Sequence, residues 1–305
     1  KEHWELGESL GVLNIAKAAE VSGSRFNYLL GDLARMEFAL IQFTLAVLTD
    51  GDLLAKIASR ANLTVSTSPF ITVVPPVLVR PGVMERMGRL EPRDERYHME
   101  KDDLYLVGSA EHALGPLHMD ETFDEKSLPR RYIGFSTAFR RESGSYGQDV
   151  KGILRVHQFD KLEMESFTTP ETGAAEQDFI VAIQEYLVQQ LGLPHQVVAI
   201  CTGDMSVPDF RQIDIETWMP GQDRYRETHT SDFMTDYQSR RLNTKVKRSD
   251  GSMAYVYMND ATAFAIGRTL IAIMENYQQE DGSIRIPDVL QQYLSGKKVI
   301  TRNAP

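Results

Sequence analysis

The sequence predicts an α+β fold in which an antiparallel β-sheet is flanked by helices. Short runs rich in β-branched and aromatic residues are mostly joined by turns and not by helices, which is typical of antiparallel strands. Segments whose apolar residues recur every three or four positions lie before, between and after these runs, and they indicate helices that cover a sheet. Apolar residues make up 42% of the 305 residues, which is enough to build a substantial core.

Three helices are predicted, over about residues 32–48, 174–191 and 262–277. The second is followed by Gly192 and Pro194, which commonly end a helix. The predicted strands cover residues 132–140, 155–167, 196–201, 212–219 and 253–258. Residues 1–25 are mixed in composition, and we interpret them as a linker with a turn at residues 22–24.

The charge and the cysteine content exclude several classes of protein. The net charge is −10, whereas a chain that binds nucleic acid through its overall field is usually basic, so such binding would need a local patch. The single cysteine, Cys201, excludes a disulfide framework and a cysteine-built zinc site within one chain, so no zinc is expected. No window reaches the roughly 18 uninterrupted apolar residues of a membrane span, and no apolar secretory segment follows Lys1. We therefore predict a cytoplasmic protein with no membrane partner.

The glycine-rich loops that usually hold nucleotides are absent from the sequence. No G-x-G-x-x-G follows a predicted strand, and no G-x-x-x-x-G-K-[ST] occurs. A Rossmann or P-loop site is not expected, so a bound nucleotide would have to be held by side chains.

The most informative segment is residues 139–163, in which two predicted strands flank a loop rich in Gly and Ser. Because alternate residues of a strand share a face, Arg155, Phe159 and Glu163 project to one side of the second strand. A guanidinium can bind phosphate, an aromatic ring can stack on a base, and a carboxylate can bind an amine or a hydroxyl. The same three residues are also compatible with a solvent-exposed sheet face on which Arg and Glu side chains form cross-strand ion pairs.

Two further features are open to both a functional and a structural interpretation. Arg268 lies among small and apolar residues in the third predicted helix, where it could bind phosphate or form a structural salt bridge. Carboxylates near strand ends could hold magnesium or form an acidic surface, and they are Glu111, Glu142, Glu163, Glu216 and Glu227. The seven histidines show no metal-binding spacing.

Several segments resemble the motifs of a known family, the bacterial-type seryl-tRNA synthetases of class II. FRRESG (139–144) and GILRVHQFDKLE (152–163) resemble motif 2, and AIGRTLIAIMENYQQEDGSIRIPDVLQQYLSG (265–296) resembles motif 3 and the C-terminal tail. GSRFNYLLGDLARMEFALIQF (23–43) and FITVVPPVLV (70–79) resemble the segment through motif 1, and LYLVGSAEHAL (104–114) resembles the Thr-x-Glu loop. The resemblance implies a class II catalytic domain over residues 26–305, preceded by a linker, residues 1–25, that would follow a missing N-terminal coiled-coil arm.

The resemblance implies an ATP site built on motifs 2 and 3. Arg140 would bind the α-phosphate and the substrate carboxylate, Phe159 would stack on the adenine, and Arg268 would bind the γ-phosphate. Mg²⁺, which accompanies ATP, would be held by Glu227 and Thr230. The implied catalytic residues are Arg140 and Arg268, and the implied ATP-binding residues are Arg140, Arg141, Glu142, Val156, Phe159, Glu227, Thr228, His229, Thr230 and Arg268.

The resemblance also implies a pocket for L-serine. Glu163 would meet the hydroxyl or the amino group of the substrate, and Ser109 and Glu111 would close on the amino group. The implied serine-binding residues are Ser109, Ala110, Glu111, Arg140, Glu163, Asp260 and Thr262. Asp260 stands where the family usually has Asn, and it adds negative charge. Amino-acid specificity is therefore the property that this difference would affect most.

The implied function is that of a serine–tRNA ligase core, which forms seryl-adenylate from L-serine and ATP and transfers the seryl group to the 3′ end of tRNA(Ser). The loop over residues 144–152 would meet the tRNA acceptor end, and residues 32–48 and 70–79 would form a homodimer interface. One alternative is a free-standing enzyme that activates a small amino acid for a carrier protein or another acceptor. A second alternative is a non-enzymatic paralogue. The presence of both Arg140 and Arg268 argues against it.

Overall fold

The computed structural model describes residues 1–143 and 151–302. The helices are α1 (His3–Leu10), α2 (Ile15–Ser22), α3 (Gly31–Leu48), α4 (Gly51–Arg60), α5 (Pro81–Arg86), α6 (Glu111–Leu114), α7 (Gly173–Gln190), α8 (Tyr237–Leu242), α9 (Ile266–Asn276) and α10 (Asp288–Gln291). The strands are β1 (Leu13–Asn14), β2 (Tyr28–Leu29), β3 (Ile71–Val73), β4 (Leu78–Val79), β5 (His98–Met99), β6 (Leu104–Leu106), β7 (Thr122–Asp124), β8 (Arg130–Phe139), β9 (Gln158–Thr168), β10 (His195–Ala199), β11 (Arg211–Met219), β12 (Arg224–Thr235), β13 (Lys245–Lys247), β14 (Met253–Tyr255), β15 (Tyr257–Ala265), β16 (Ile284–Arg285) and β17 (Val299–Ile300).

A seven-stranded sheet with the order β10-β11-β12-β15-β9-β8-β3 forms the centre of the fold. All neighbours are antiparallel except β3 and β8, which run parallel. The predicted α+β class with an antiparallel sheet is therefore confirmed. Helices α3, α7 and α9 bury their apolar faces in one core with alternate residues of β9 and β15, such as Leu162 and Ala263. The residues between them on β9, including Glu163, project from the opposite face of the sheet.

Several predicted boundaries are wrong. The strand predicted over residues 155–167 begins only at Gln158, so Arg155 precedes β9 and does not share its strand face with Phe159 and Glu163. The helix predicted over residues 262–277 begins only at Ile266, because residues 262–265 belong to β15. Residues 262–265 continue the antiparallel pairing of β15 with β9, and this pairing overrides the local helical pattern. The strand predicted over residues 253–258 is accordingly divided between β14 and β15. Strand β12 was not predicted, because its polar sequence lacks the apolar alternation of a half-buried strand.

Residues 1–25, which we interpreted as a linker, contain α1, β1 and α2. The side chains of Leu6, Leu10 and Leu13 are buried in the same core as α3, α7 and α9. Two helices of eight residues each are too short to give a clear periodic signal, so their structure depends on this tertiary packing. A domain boundary at residue 25 stays a prediction.

In the described part of the chain, no single helix has the length and apolarity to cross a membrane. Helices α3 and α4 pass that test only when joined, by length and composition alone, and they are bent by 79° at their junction.

Candidate active site

A cavity of about 250 Å³ opens on the face of the sheet opposite to α7. Its floor comes from β9, β12 and β15, and its walls come from residues 107–111, residues 153–156 and the start of α9. Twelve residues predicted for ATP or serine line it, and they are Ser109, Glu111, Arg140, Glu142, Val156, Phe159, Glu163, Glu227, Thr230, Asp260, Thr262 and Arg268. Elements distant in sequence thus bring both halves of the predicted site into one cavity.

Four predicted site residues lie outside this cavity. Arg141 is exposed, with its guanidinium 5.4 Å from the ring centroid of Tyr97. Ala110 is buried in a second apolar cluster. Thr228 and His229 are buried together, with a contact of 2.8 Å between Thr228 Oγ1 and His229 Nδ1, and burial lowers the pKa of His229 to about 3. Glu216, considered from sequence as a magnesium ligand, accepts a hydrogen bond from Gln196 on the neighbouring strand.

A β-bulge at Thr228 explains how Glu227 and Thr230 reach the same cavity. Residues three apart on a regular strand face opposite sides of a sheet. Here Glu216 pairs with Glu227 and the adjacent Ile215 pairs with His229, so Thr228 is an extra residue in the ladder. Thr230 Oγ1 consequently donates a hydrogen bond to Glu227 Oε1 at 3.3 Å. The side-chain oxygen atoms of Glu227 and Thr230 are suitable ligands for a magnesium ion.

The floor of the cavity opens where β12 and β15 separate. Their pairing runs as far as Ser231 opposite Ala261, and the next carbonyls towards the cavity belong to Thr230 and Thr262. Gln184 of α7 fills the gap, because its amide donates to the Thr230 carbonyl at 2.9 Å and to the Thr262 carbonyl at 2.8 Å. The split strands therefore keep their backbone groups satisfied while their side chains line the cavity.

One end of the cavity carries positive charge beside an aromatic ring. The Arg140 guanidinium lies over the Phe159 ring, 5.3 Å from its centroid, and its Nε donates to the Gly108 carbonyl at 2.9 Å. Arg268, at the first turn of α9, pairs with Glu227 at 3.0 Å. Glu142 pairs with Arg155 at 2.9 Å. Two cations and an accessible ring suit phosphate and a planar base.

The other end is acidic and more deeply buried. Glu163 is 1% exposed and accepts from Lys161 Nζ at 2.5 Å and from Ser109 Oγ at 2.9 Å. Thr262 lies directly opposite Glu163 across the strands. Such carboxylate and hydroxyl groups suit a small polar molecule with an ammonium or a hydroxyl group.

Arg89 is the counter-ion of this acidic end. It lies 2.8 Å from Glu111 and 3.4 Å from Asp260. Although burial opposes ionisation, Arg89 holds the pKa of Glu111 well below its usual range. Burial and the neighbouring Glu111 and Asp232 raise the pKa of Asp260 well above its usual range. One arginine therefore serves several carboxyl groups without neutralising all of them.

The sequence interpretation missed several residues of the cavity, chiefly Arg89, Lys161 and Asp232. Lys161 shares the strand face of Phe159 and Glu163, so the alternation that identified those two could have identified it. Asp232 lies on the unpredicted strand β12, and Arg89 lies in a loop with no periodic pattern, so neither had a comparable signal.

Comparison with known proteins gives consistent results. Residues 95–277 match the model of the tRNA synthetase class II core domain (G, H, P, S and T). The serine–tRNA ligase of Acidothermus cellulolyticus is 44% identical over 96% of this chain and 66% of its own length, and that of Fervidobacterium nodosum is 40% identical over 96% and 65%. The seryl-tRNA synthetase of Pyrococcus horikoshii complexed with ATP aligns with a TM-score of 0.88 at 40% identity, over 100% of this chain and 64% of that one. The chain thus spans slightly less than two thirds of the length of these relatives.

Proposed function

The chain belongs to the class II aminoacyl-tRNA synthetases, in the family of the seryl-tRNA synthetases, and on this premise we propose that its cavity activates L-serine with ATP. The family that the motifs resemble is thereby confirmed. The proposed reaction is the formation of seryl-adenylate and pyrophosphate, followed by transfer of the seryl group to the 3′ end of tRNA(Ser) with release of AMP.

The observation that carries this proposal is that Arg140 links the two ends of one cavity, because its guanidinium lies over Phe159 and its Nε donates to the carbonyl of Gly108, the residue before Ser109. On one side lie Phe159 and Arg268, which suit a purine and a phosphate, and on the other lies the polar pocket around Glu163. A guanidinium at the junction can bind the α-phosphate and the substrate carboxylate together. It can also stabilise the negative charge that develops as the carboxylate oxygen attacks phosphorus.

The remaining groups position the substrates. Phe159 would stack on the adenine and Glu142 would accept a hydrogen bond from its amino group, as predicted from the motifs. Ser109, Glu111 and Glu163 would orient the serine so that its carboxylate faces the α-phosphate, and most of the rate gain would come from this positioning. Bound Mg²⁺ would neutralise charge on the phosphates, and Glu227 and Thr230 supply oxygen atoms that would hold it.

The proposal includes the partners of the complete reaction. The tRNA acceptor end would be met by the loop over residues 144–152, of which residues 144–150 lie outside the described part of the chain. A homodimer would form through α3 and the segment around β3, which expose Phe38, Ile71 and Val74. The cytoplasm is the proposed location.

Amino-acid-dependent ATP–pyrophosphate exchange tests the proposal, with magnesium and each of the twenty amino acids. We expect exchange with serine, and a loss of about 100-fold or more in Arg140→Ala, since a donor that stabilises transition-state charge is removed. Arg285→Ala is the matched control, because Arg285 is exposed and pairs with Asp288 on the surface.

The other outcomes separate the alternatives. Exchange with alanine or glycine in place of serine would favour activation of a small amino acid for a carrier protein. A folded protein that supports no exchange with any amino acid would contradict the proposal and favour the non-enzymatic paralogue.

A further inference from the structure

Three acidic residues stand side by side across the strands at the acidic end of the cavity, where Asp232 and Asp260 line the cavity and Glu165 is buried beside them. Asp232 of β12 lies directly opposite Asp260 of β15, and Asp260 lies directly opposite Glu165 of β9. Direct cross-strand partners face the same side of a sheet, and like charges in such positions are destabilising. We call Asp232, Asp260 and Glu165 the acidic row. A bound cation would relieve the repulsion in such an arrangement.

The basic groups present do not supply enough positive charge. Four carboxyl groups line this end, those of Glu111, Glu163, Asp232 and Asp260, whereas its basic side chains are Arg89 and Lys161. Lys161 is engaged by Glu163, and Arg89 by Glu111 at 2.8 Å and by Asp260 at 3.4 Å. Arg140 lies at the junction, where the proposed reaction needs it for phosphate and carboxylate. Two carboxyl groups therefore remain in excess.

The excess carboxyl groups point to a ligand. Asp232 is 9% exposed, it lines the cavity, and its Oδ1 has no hydrogen-bond partner among the residues that the structure describes. Carboxylate oxygens of Glu111, Glu163 and Asp260 lie within 4.8 Å of one another. A buried acceptor without a partner is costly, and an ammonium group can donate to several oxygens at once. The α-ammonium of an amino acid would offset one excess charge, and a second ammonium would offset the other.

We propose that this pocket also activates short diamino acids, represented by L-2,3-diaminopropionate and L-2,4-diaminobutyrate, with the side-chain ammonium bound by Asp232 and Asp260. The inference rests on the proposed function, because the reaction is the same. The α-carboxylate oxygen forms a bond to the α-phosphorus of ATP, the bond from that phosphorus to pyrophosphate breaks, and the side-chain ammonium keeps its protons.

The geometry favours a short side chain. A carboxylate oxygen of Asp260 lies within 4.8 Å of one of Glu163 and of one of Glu111, which the proposed function places beside the substrate. One or two methylene groups place an ammonium near Asp260 and Asp232, whereas the four of lysine would extend beyond the acidic row. Diaminopropionate has nearly the shape of serine, so charge alone distinguishes these two substrates.

The test is ATP–pyrophosphate exchange by the whole chain with serine, alanine, diaminopropionate, diaminobutyrate and lysine as separate substrates. We expect exchange with both short diamino acids and not with lysine. In Asp232→Asn and Asp260→Asn the ratio of kcat/KM for diaminopropionate to that for serine should fall about tenfold or more, since a charged hydrogen bond is lost. Glu216→Gln, which removes a carboxylate from the outer part of the sheet, should leave this ratio unchanged.

If a variant fails to fold, ATP–pyrophosphate exchange by the wild-type chain alone still tests the inference. Exchange with serine but not with either diamino acid would overturn this inference and leave the proposed function intact. Exchange with none of these amino acids, serine included, would contradict the proposed function itself. Binding of Mn²⁺ without ATP that is lost in Asp260→Asn would also overturn it, because an inorganic ion would then supply the missing charge.

Discussion

His112 is held neutral at the edge of the cavity by its surroundings. It is 4% exposed, and its Nδ1 accepts a hydrogen bond from the Gly108 amide at 3.1 Å. The proton of the neutral ring is therefore on Nε2, which lies 3.4 Å from Glu111 Oε1. Burial lowers the pKa of His112 from 6.5 to about 4, and the nearby Arg96 and Arg89 add to this effect while Glu111 opposes it. Protonation of His112 is consequently coupled to unfolding.

We expect His112 to make the protein less stable as the pH falls from 6.5 to about 4. In this window the unfolded chain binds a proton that the folded chain does not, which costs about 1.4 kcal/mol per pH unit. His112→Asn keeps an acceptor for Gly108 and does not titrate. The loss of unfolding free energy between pH 7 and pH 5, measured with urea, should therefore be smaller in this variant by about 1–2 kcal/mol.

His98→Asn is the matched control, because His98 lies on an exposed strand and pairs with Asp103 at the surface. The carboxyl groups of the acidic row, whose pKa values burial raises, are present in all three proteins. An identical pH dependence in wild type and His112→Asn would contradict the assignment.

At the level of single residues, alternation along a strand was the strongest predictor. It placed Phe159 and Glu163 on one face, because a strand has a strict period of two. It could not place Glu227 and Thr230 together, since only the bulge at Thr228 makes a three-residue spacing face one side. Arg89 reaches the site through tertiary packing, which no local pattern encodes.

The elements around the cavity are connected through His3 of α1. Its Nε2 accepts a hydrogen bond from the Ile153 amide at 3.1 Å, and its Nδ1 lies 3.2 Å from Glu275 of α9. Glu275 also accepts from the amide of Gly221 in the turn between β11 and β12. The segment that leads through Ile153 into β9 is therefore positioned by two helices and a turn.

Gly152→Ala should disrupt this connection. A Cβ at residue 152 would lie 1.9 Å from His3 Nε2, and the backbone has a φ of +78°. We expect a loss of about 1–2 kcal/mol for the left-handed backbone and a further loss on the order of 1–3 kcal/mol for displacing His3. Because Ile153 and Val156 line the cavity, the KM for ATP should rise as well.

Gly251→Ala isolates the backbone cost. Its φ is +87°, but a Cβ added at this residue would meet no atom of the described chain within 4 Å. Chemical denaturation of both variants should show the larger loss for Gly152→Ala, and equal losses would mean that His3 moves freely.

At the level of the whole molecule, one core joins the first residues of the chain to the sheet. Leu6 is 1% exposed, and it belongs to the apolar cluster that contains α3, α7 and α9. We therefore expect Leu6→Ala to lower the free energy of unfolding of the entire domain by about 2–5 kcal/mol, in a single transition. Val21→Ala is the control, because Val21 is 63% exposed on α2. Equal stability of these two variants would support the linker interpretation of residues 1–25.

The α+β class and most central strands could be predicted because composition and alternation are global signals. Strand β12 and the helices of residues 1–25 could not, since β12 is polar where it lines the cavity and the short helices depend on the shared core. The functional region of a protein often violates the simple patterns that identify its scaffold.

Strand β3 closes one edge of the central sheet with three residues, and Val74, Pro75 and Pro76 follow it. Proline has no backbone N–H and cannot donate to an added strand. A foreign strand that approached this edge would find only a short row of donors before the ladder ended, although Ile71 and Val74 are exposed there. The proline pair thus leaves this hydrophobic edge with few free donors for an added strand.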